Sequence, residues 1–148
     1  MTGFLVLSRS DLRALMQFDD YVEAVAEAFQ LLAEGRCLSP VPTEIPAQDG
    51  TSTPRPARYR AERATWRVKI NGNFPSNKAR HGLPTIQGAV YLADASNGRP
   101  LALLDSAEIT LQRTGAATAV AARYLARRRS RSAAVVNRAA HRQDHGRS

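Results

Sequence analysis

The fold is decided by residues 65–104, which begin with Thr65-Trp66-Arg67-Val68-Lys69-Ile70. Apolar and basic side chains alternate along this run, which is typical of a strand with one apolar face, and the alternation places Lys69 on the opposite face. The rest of the stretch reads as an irregular loop over residues 71–84, a strand over 86–93, an Asn97-Gly98 turn, and a returning strand over 100–104. We therefore predict consecutive antiparallel strands.

Helices are predicted on both sides of these strands. Two capping-box patterns, Ser8-x-x-Asp11 and Asp20-x-x-Glu23, begin a short helix and then an amphipathic helix that stops at Gly35. Other predicted elements are a strand over 4–7, a proline-rich loop with one or two edge strands over 39–64, and a helix from about 106 to 126 that bends near Arg113 to Gly115. The predicted class is α+β, with an open, mostly antiparallel sheet and flanking helices.

Length and composition narrow the class of protein further. The chain has 148 residues, of which 43% are hydrophobic and 23% are charged, which suits one compact domain and is too short for two. No apolar run approaches the roughly 18 to 20 residues needed to cross a bilayer. Cys37 is the only cysteine, so an internal disulfide is impossible and a cysteine-based zinc site is implausible. We therefore expect a cytoplasmic protein without a membrane segment.

The net charge of +8 is concentrated at one end of the chain. Residues 1–122 carry 13 basic and 12 acidic residues, whereas residues 123–148 carry eight arginines and one acid, Asp144. We expect a folded domain over 1–127 and a basic tail over 128–148 that is disordered or the product of a frameshift. The tail could neutralise nucleic-acid phosphates, but no stacking aromatic residues lie among its arginines, so nucleic-acid binding is the least favoured alternative.

The segment from Trp66 to Arg127 resembles the ornithine cyclodeaminase and mu-crystallin family. The motifs that carry the resemblance are Val68-Lys69-Ile70, Gly82-Leu83-Pro84-Thr85-Ile86-Gln87-Gly88, Leu103-Leu104-Asp105 and Arg113-Thr114-Gly115-Ala116-Ala117, within a match over roughly residues 4–127. The resemblance implies an N-terminal substrate domain that pairs with its copy in a homodimer, followed by a Rossmann domain that binds NAD. It also implies hydride transfer between a substrate Cα and nicotinamide, as in ornithine cyclodeamination, amino-acid dehydrogenation or imine reduction.

The resemblance assigns roles to four residues. It implies that Lys69 is the catalytic, substrate-binding lysine and that Arg113 clamps the substrate carboxylate. It further implies that Thr85, Arg113 and Thr114 contact the cofactor. Each residue also has a purely structural alternative: Lys69 solvated on a strand face, Arg113 in a salt bridge at a helix terminus, and the two threonines capping local backbone. No metal is expected, because His141 and His145 have helical spacing but no acidic companion.

The chain departs from the family at two places. The family's further substrate-binding arginine is missing from Pro40-Val41-Pro42-Thr43, and no glycine-rich turn follows the strand candidate at 132–136. A frameshift or premature stop near Arg128 would explain the second departure. We predict a truncated family member that lacks the Rossmann domain, binds an amino-acid carboxylate, and neither binds NAD nor turns over substrate alone. The alternative is a non-catalytic dimerising module.

Overall fold

A computed structural model describes residues 3–59, 64–127, 129–132 and 134. These residues form, in chain order, β1 (Leu5–Leu7), α1 (Arg9–Leu15), α2 (Phe18–Ala33), β2 (Cys37–Leu38), β3 (Ile45–Ala47), β4 (Gly50–Tyr59), β5 (Thr65–Asn73), α3 (Asn77–His81), β6 (Ile86–Asp94), β7 (Pro100–Asp105) and α4 (Ser106–Leu125). The strands make one sheet in the order β1-β7-β6-β5-β4-β2, and β3 also pairs with β4. Only the β1–β7 pair is parallel among these strands. The α+β class with an open sheet is confirmed.

Strand β4 corrects the prediction of a mainly irregular segment over 39–64. It pairs with β5 along its whole length, although it contains Pro54 and Pro56. On its outer edge, β3 pairs with residues 50–52 and β2 pairs with residues 58 and 59, so neither partner covers the two prolines. Because proline has no N–H to donate, it is tolerated at an unpaired edge of this kind. The edge-strand character predicted for this segment is therefore found in β4, although the strand is longer than expected.

The helix starts were predicted with mixed success. The capping box at Ser8 is confirmed, because the Ser8 N–H donates to the Asp11 carboxylate at 2.8 Å. The box predicted at Asp20 and Glu23 is wrong: α2 begins three residues earlier, and Asp20 accepts a hydrogen bond from the backbone N–H of Gln17 at 2.7 Å. Gly35 ends α2 with a φ of 68°, as expected for a left-handed stop.

Two further predictions need correction. The loop predicted over 71–84 is partly regular, because β5 continues pairing with β6 up to Asn73, and α3 follows it. Helix α4 is continuous from Ser106 to Leu125 and is not divided into two helices, whereas the bend expected near Arg113 to Gly115 stays a prediction. A Cβ at Gly115 would lie 3.3 Å from the Phe18 ring, so this glycine allows α2 and α4 to approach closely.

The two longest helices build the core, and a buried carboxylate fixes one of them. Tyr21 and Val22 of α2 pack against Ala116 and Val120 of α4. At the start of α4, the nearly inaccessible Glu108 accepts a hydrogen bond from the Arg13 Nε of α1 at 3.0 Å. Helix α4 packs on β6 and the adjoining part of β5. The position of α4 over the sheet is therefore held from both α1 and α2.

The two faces of β5 have unexpected surroundings. The predicted alternation is confirmed, but the face that carries Lys69 is the one that α4 covers. The apolar face, with Trp66, Val68 and Ile70, lies on the other side, and Ile70 is 48% exposed. Strand β5 therefore turns its basic face toward α4 and leaves its apolar face partly open.

The predictions for the basic tail fall almost entirely outside the described residues. Of residues 128–148, the structure describes only 129–132 and 134. Disorder, a frameshift and nucleic-acid binding by this segment therefore remain predictions. Among the residues that are described, no helix has the length and apolar content required to cross a membrane.

Candidate functional site

Lys69 lies at the junction of β5 and α4. Its half-buried side chain donates from Nζ to Thr110 Oγ1 at 2.7 Å, and the Thr110 hydroxyl in turn donates to the Ser106 carbonyl of its own helix. The hydroxyl therefore acts as the acceptor for Lys69. Since an ammonium has three N–H groups, Lys69 has two more to offer a ligand.

Lys69 is part of a concentration of positive charge. Burial is the main reason that the pKa of Lys69 falls from 10.5 to about 8, and the charges of Arg113, Arg67 and Arg55 lower it further. We call these four residues the basic cluster. Among the described residues, no carboxylate forms an ion pair with any of them. The basic cluster therefore presents an uncompensated positive charge to a ligand.

The register of the sheet assembles the basic cluster. Arg55 of β4 is the direct cross-strand partner of Lys69, so both side chains lie on the same face. Arg67 is two residues before Lys69 on β5 and shares that face. Arg113 follows Thr110 by about one turn of α4, so it emerges on the same side of the helix as the hydroxyl that contacts Lys69.

Arg67 is held in place by Tyr59. Its Nη2 and Nε donate to the Tyr59 hydroxyl at 2.9 and 3.3 Å, and its guanidinium carbon lies 5.5 Å from the centre of the Tyr59 ring. Tyr59 carries no charge, so these contacts do not neutralise the positive charge of Arg67. A guanidinium restrained in this way loses little conformational freedom when it binds an anion.

The four residues predicted from the sequence have different surroundings in the structure. Lys69 and Arg113 lie on elements that pack together, and the charge of Arg113 lowers the pKa of Lys69. Thr114 is exposed and donates to the Thr110 carbonyl at 2.6 Å, which matches its structural alternative. Thr85 lies just before β6, and its carbonyl accepts from the Phe74 N–H at 2.9 Å. The cofactor roles of Thr85, Arg113 and Thr114 remain predictions, as do the substrate roles of Lys69 and Arg113.

Three residues around Lys69 were missed. Arg67 could have been found, because the strand alternation places it on the same face as Lys69. Arg55 was hidden in a segment interpreted as a loop, and its pairing with Lys69 depends on a register that no local pattern reveals. Thr110 precedes Arg113 by three residues, but nothing in the sequence shows that this turn of α4 lies over Lys69.

Neither strand-to-helix junction of the sheet has the form of a dinucleotide-binding turn. The sheet turns directly into a helix at the β1–α1 and β7–α4 junctions, and neither junction contains a glycine. A dinucleotide pyrophosphate normally sits on a glycine-rich turn of that kind. The described part of the chain also contains no group of three or more histidine, cysteine or acidic side chains that could hold a metal ion.

Comparison with known proteins agrees with this architecture. The chain is 33% identical over 126 residues to the alanine dehydrogenase of Archaeoglobus fulgidus, a match that covers 85% of this chain and 38% of that protein. Its structure is similar to an archaeal alanine dehydrogenase dimer with bound NAD (TM-score 0.80, 33% identity, 86% of this chain and 38% of that one). It is also similar to Thermococcus litoralis Delta(1)-pyrroline-2-carboxylate reductase in complex with NADH and L-proline (TM-score 0.77, 37% identity). That match covers 83% of this chain and 38% of that one.

The chain thus spans about two fifths of the length of these relatives. The model of one family, described as the ornithine cyclodeaminase/mu-crystallin family, matches residues 4–143. That match runs through all the described strands and helices and includes the whole basic cluster. The resemblance noted in the motifs is confirmed, and the chain belongs to the ornithine cyclodeaminase/mu-crystallin family.

Proposed function

We propose that this chain binds the carboxylate of an amino or imino acid and orients its Cα for hydride exchange with a nicotinamide cofactor. The observation that carries the proposal is the basic cluster, in which Arg113 lies near enough to Lys69 to lower its pKa and neither residue has a carboxylate partner among the described residues. The names of the relatives support the reaction class, because they include an alanine dehydrogenase and a pyrroline-2-carboxylate reductase.

The residues of the site have distinct tasks in this proposal. Arg113 grips the carboxylate with its planar guanidinium, and Lys69 donates to the carboxylate while Thr110 fixes the position of Nζ. The substrate is thereby held in one orientation, which is the main contribution a protein makes to hydride transfer. When bound, NAD would supply or accept the hydride. We propose that it is held by protein beyond the described residues.

Carboxylate binding should weaken as the pH rises through about 8. Deprotonation of Lys69 removes one of the charges that attract the anion, and its pKa of about 8 sets the point at which the loss begins. Calorimetric titration of the chain with propionate, whose charge is constant between pH 7 and 10, should show the affinity falling by up to about tenfold per pH unit above that point.

Lys69→Arg is the matched control for this titration, because a guanidinium stays charged throughout the range. Its affinity for propionate should change little between pH 7 and 10. Binding to the original chain that is equally strong at pH 7 and pH 10 would contradict the role of Lys69.

We propose that the 148 residues do not turn over substrate by themselves. The support is the absence of a glycine-rich strand-to-helix turn within the described residues. Purified chain mixed with NAD and either L-alanine or L-ornithine should produce no NADH absorbance and release no ammonia. Measurable turnover of either amino acid would show that the proposal is wrong.

We also propose that the open apolar face of the sheet pairs with a second copy of the chain. Trp66, Val68 and Ile70 present this face, and one similar solved structure is a dimer. This surface is the specific observation that favours the alternative function, a dimerising module without catalytic activity. The two proposals are compatible, since a substrate-binding domain can also dimerise.

Ile70→Asp should convert the dimer into a monomer. The original chain should show about twice the chain mass of 16.1 kDa by light scattering. A carboxylate buried in an apolar interface costs about 3 kcal/mol or more, enough to dissociate a dimer of moderate affinity. Val41→Asp is the control, because Val41 is 89% exposed in a loop outside that face. A monomeric original chain would contradict the proposed pairing.

A further inference from the structure

The basic cluster holds more positive charge than one carboxylate requires. Under the proposed function, Lys69 and Arg113 bind the carboxylate next to the reacting carbon. Arg55 and Arg67 remain, and both lie on the same face of the sheet as Lys69. Arg55 is exposed and Arg67 is held by the uncharged Tyr59. Among the described residues, no acidic side chain pairs with either arginine.

Arg55 lies on a strand against which α4 does not pack, and Arg67 is diagonal to Arg55 across the β4–β5 pair. Helix α4 packs on β6 and on the adjoining part of β5, whereas Arg55 is on β4. The Cβ atoms of direct cross-strand neighbours such as Arg55 and Lys69 are typically about 5 Å apart. Residues two apart on a strand, such as Arg67 and Lys69, are separated by roughly 7 Å. Both arginines are therefore within reach of a substrate that is bound at Lys69.

The positive charges of Arg55 and Arg67 favour some classes of substrate side chain over others. The distal ammonium of a diamino acid would approach two guanidinium groups, neither of which has an ion-pair partner among the described residues. An apolar side chain would leave both guanidinium groups without a partner. A carboxylate would bind both, through charge-assisted hydrogen bonds for which guanidinium groups are well shaped.

We propose that this site selects an amino or imino acid that carries a second carboxylate on its side chain, which Arg55 and Arg67 bind. The inference rests on the proposed function, because Lys69 and Arg113 must hold the first carboxylate. It assigns a specificity role to two residues that lie outside the motifs from which the family was recognised.

Binding of simple carboxylates by the 148-residue chain tests the proposal. Calorimetry at pH 7 and fixed ionic strength would compare succinate with butyrate, and L-aspartate with L-alanine and L-ornithine. We expect succinate to bind at least about tenfold more tightly than butyrate, and L-aspartate to bind more tightly than the other two amino acids. Butyrate is the important comparison, because it has the same number of carbons as succinate and only one carboxylate.

Arg55→Gln and Arg67→Gln should each lower the affinity for succinate about tenfold and bring it close to that for butyrate. Arg58→Gln is the control: it removes the same charge from the same strand, but Arg58 is the cross-strand partner of Trp66 and so lies on the opposite face. That variant should keep the preference for succinate. Thermal unfolding of all three variants would establish that they are folded.

The possible results separate this inference from the proposed function. Equal binding of succinate and butyrate would overturn the inference and leave the carboxylate site intact. If neither compound binds, the proposed function and the inference both fail. A parallel titration with inorganic pyrophosphate completes the test: a preference for pyrophosphate, with succinate no better than butyrate, would show that the arginines serve a phosphate instead.

Discussion

Replacing Lys69 by methionine is expected to remove carboxylate binding while making the folded domain more stable. The ammonium of Lys69 is half-buried and faces Arg55 of β4, Arg67 of its own strand and Arg113 of α4. Burial is the main cost and repulsion by the three arginines adds to it, so a neutral side chain of similar length avoids both. We expect the free energy of unfolding to rise by about 1 kcal/mol at pH 7, as at many sites that trade stability for function.

The sign of the pH dependence follows from the lowered pKa. In the folded chain Lys69 loses its proton near pH 8, whereas in the unfolded chain it does so near 10.5. The unfolded state therefore binds more protons between these values, so the stability of the original chain rises with pH across that interval. The destabilisation caused by the buried charge of Lys69 has its full size below pH 8. The stability advantage of Lys69→Met should be largest at pH 7 and nearly absent above pH 10.5.

Urea unfolding at pH 7 and at pH 10.5, together with calorimetric titration with L-alanine, measures both effects. Lys78→Met is the control, because Lys78 is an exposed residue of α3. That variant should bind L-alanine as the original chain does, and its stability should change by less than about 0.5 kcal/mol. A Lys69→Met variant that is less stable at pH 7, or that still binds L-alanine, would refute the interpretation of the site.

The elements that the sequence predicted correctly are those specified by local patterns. Strand β5 alternates over consecutive residues, Gly35 marks a left-handed helix end, and the box at Ser8 spans four residues. Each of these signals needs only neighbours along the chain. Edge strands were predicted over 39–64, but the length of β4 was not, because it depends on pairing with β5 and on where β2 and β3 end.

The same distinction applies to the site. Lys69 and Arg113 were found because they lie within recognisable motifs. Arg55 was not found, because its position depends on the β4–β5 register, which is a contact between distant parts of the sequence. The sequence also gave no sign that the basic face of β5 would be the covered one. An apolar face normally points to the core, and here it is left open.

Gly88→Ala is expected to destabilise the domain by about 3 kcal/mol or more. A Cβ on Gly88 of β6 would lie 2.1 Å from the Ile70 carbonyl oxygen, and 2.9 Å from both Asn71 Oδ1 and Ser106 Oγ. The carbonyl belongs to β5, which is paired on both sides and cannot move without breaking its ladder. Strand β5 or the start of α4 must therefore shift, as in other over-packed cores.

The displacement should also weaken carboxylate binding, because β5 carries Lys69 and the first turns of α4 carry Thr110. Gly98→Ala is the matched control: its φ is 75°, but an added Cβ would have no atom of the described residues within 4 Å. Its cost should be the backbone penalty alone, about 1 kcal/mol. Urea unfolding of both variants measures the difference. If Gly88→Ala is no less stable than Gly98→Ala, then β5, β6 and α4 are not packed closely enough to fix Lys69 against Thr110, and the geometry assigned to the basic cluster loses its support.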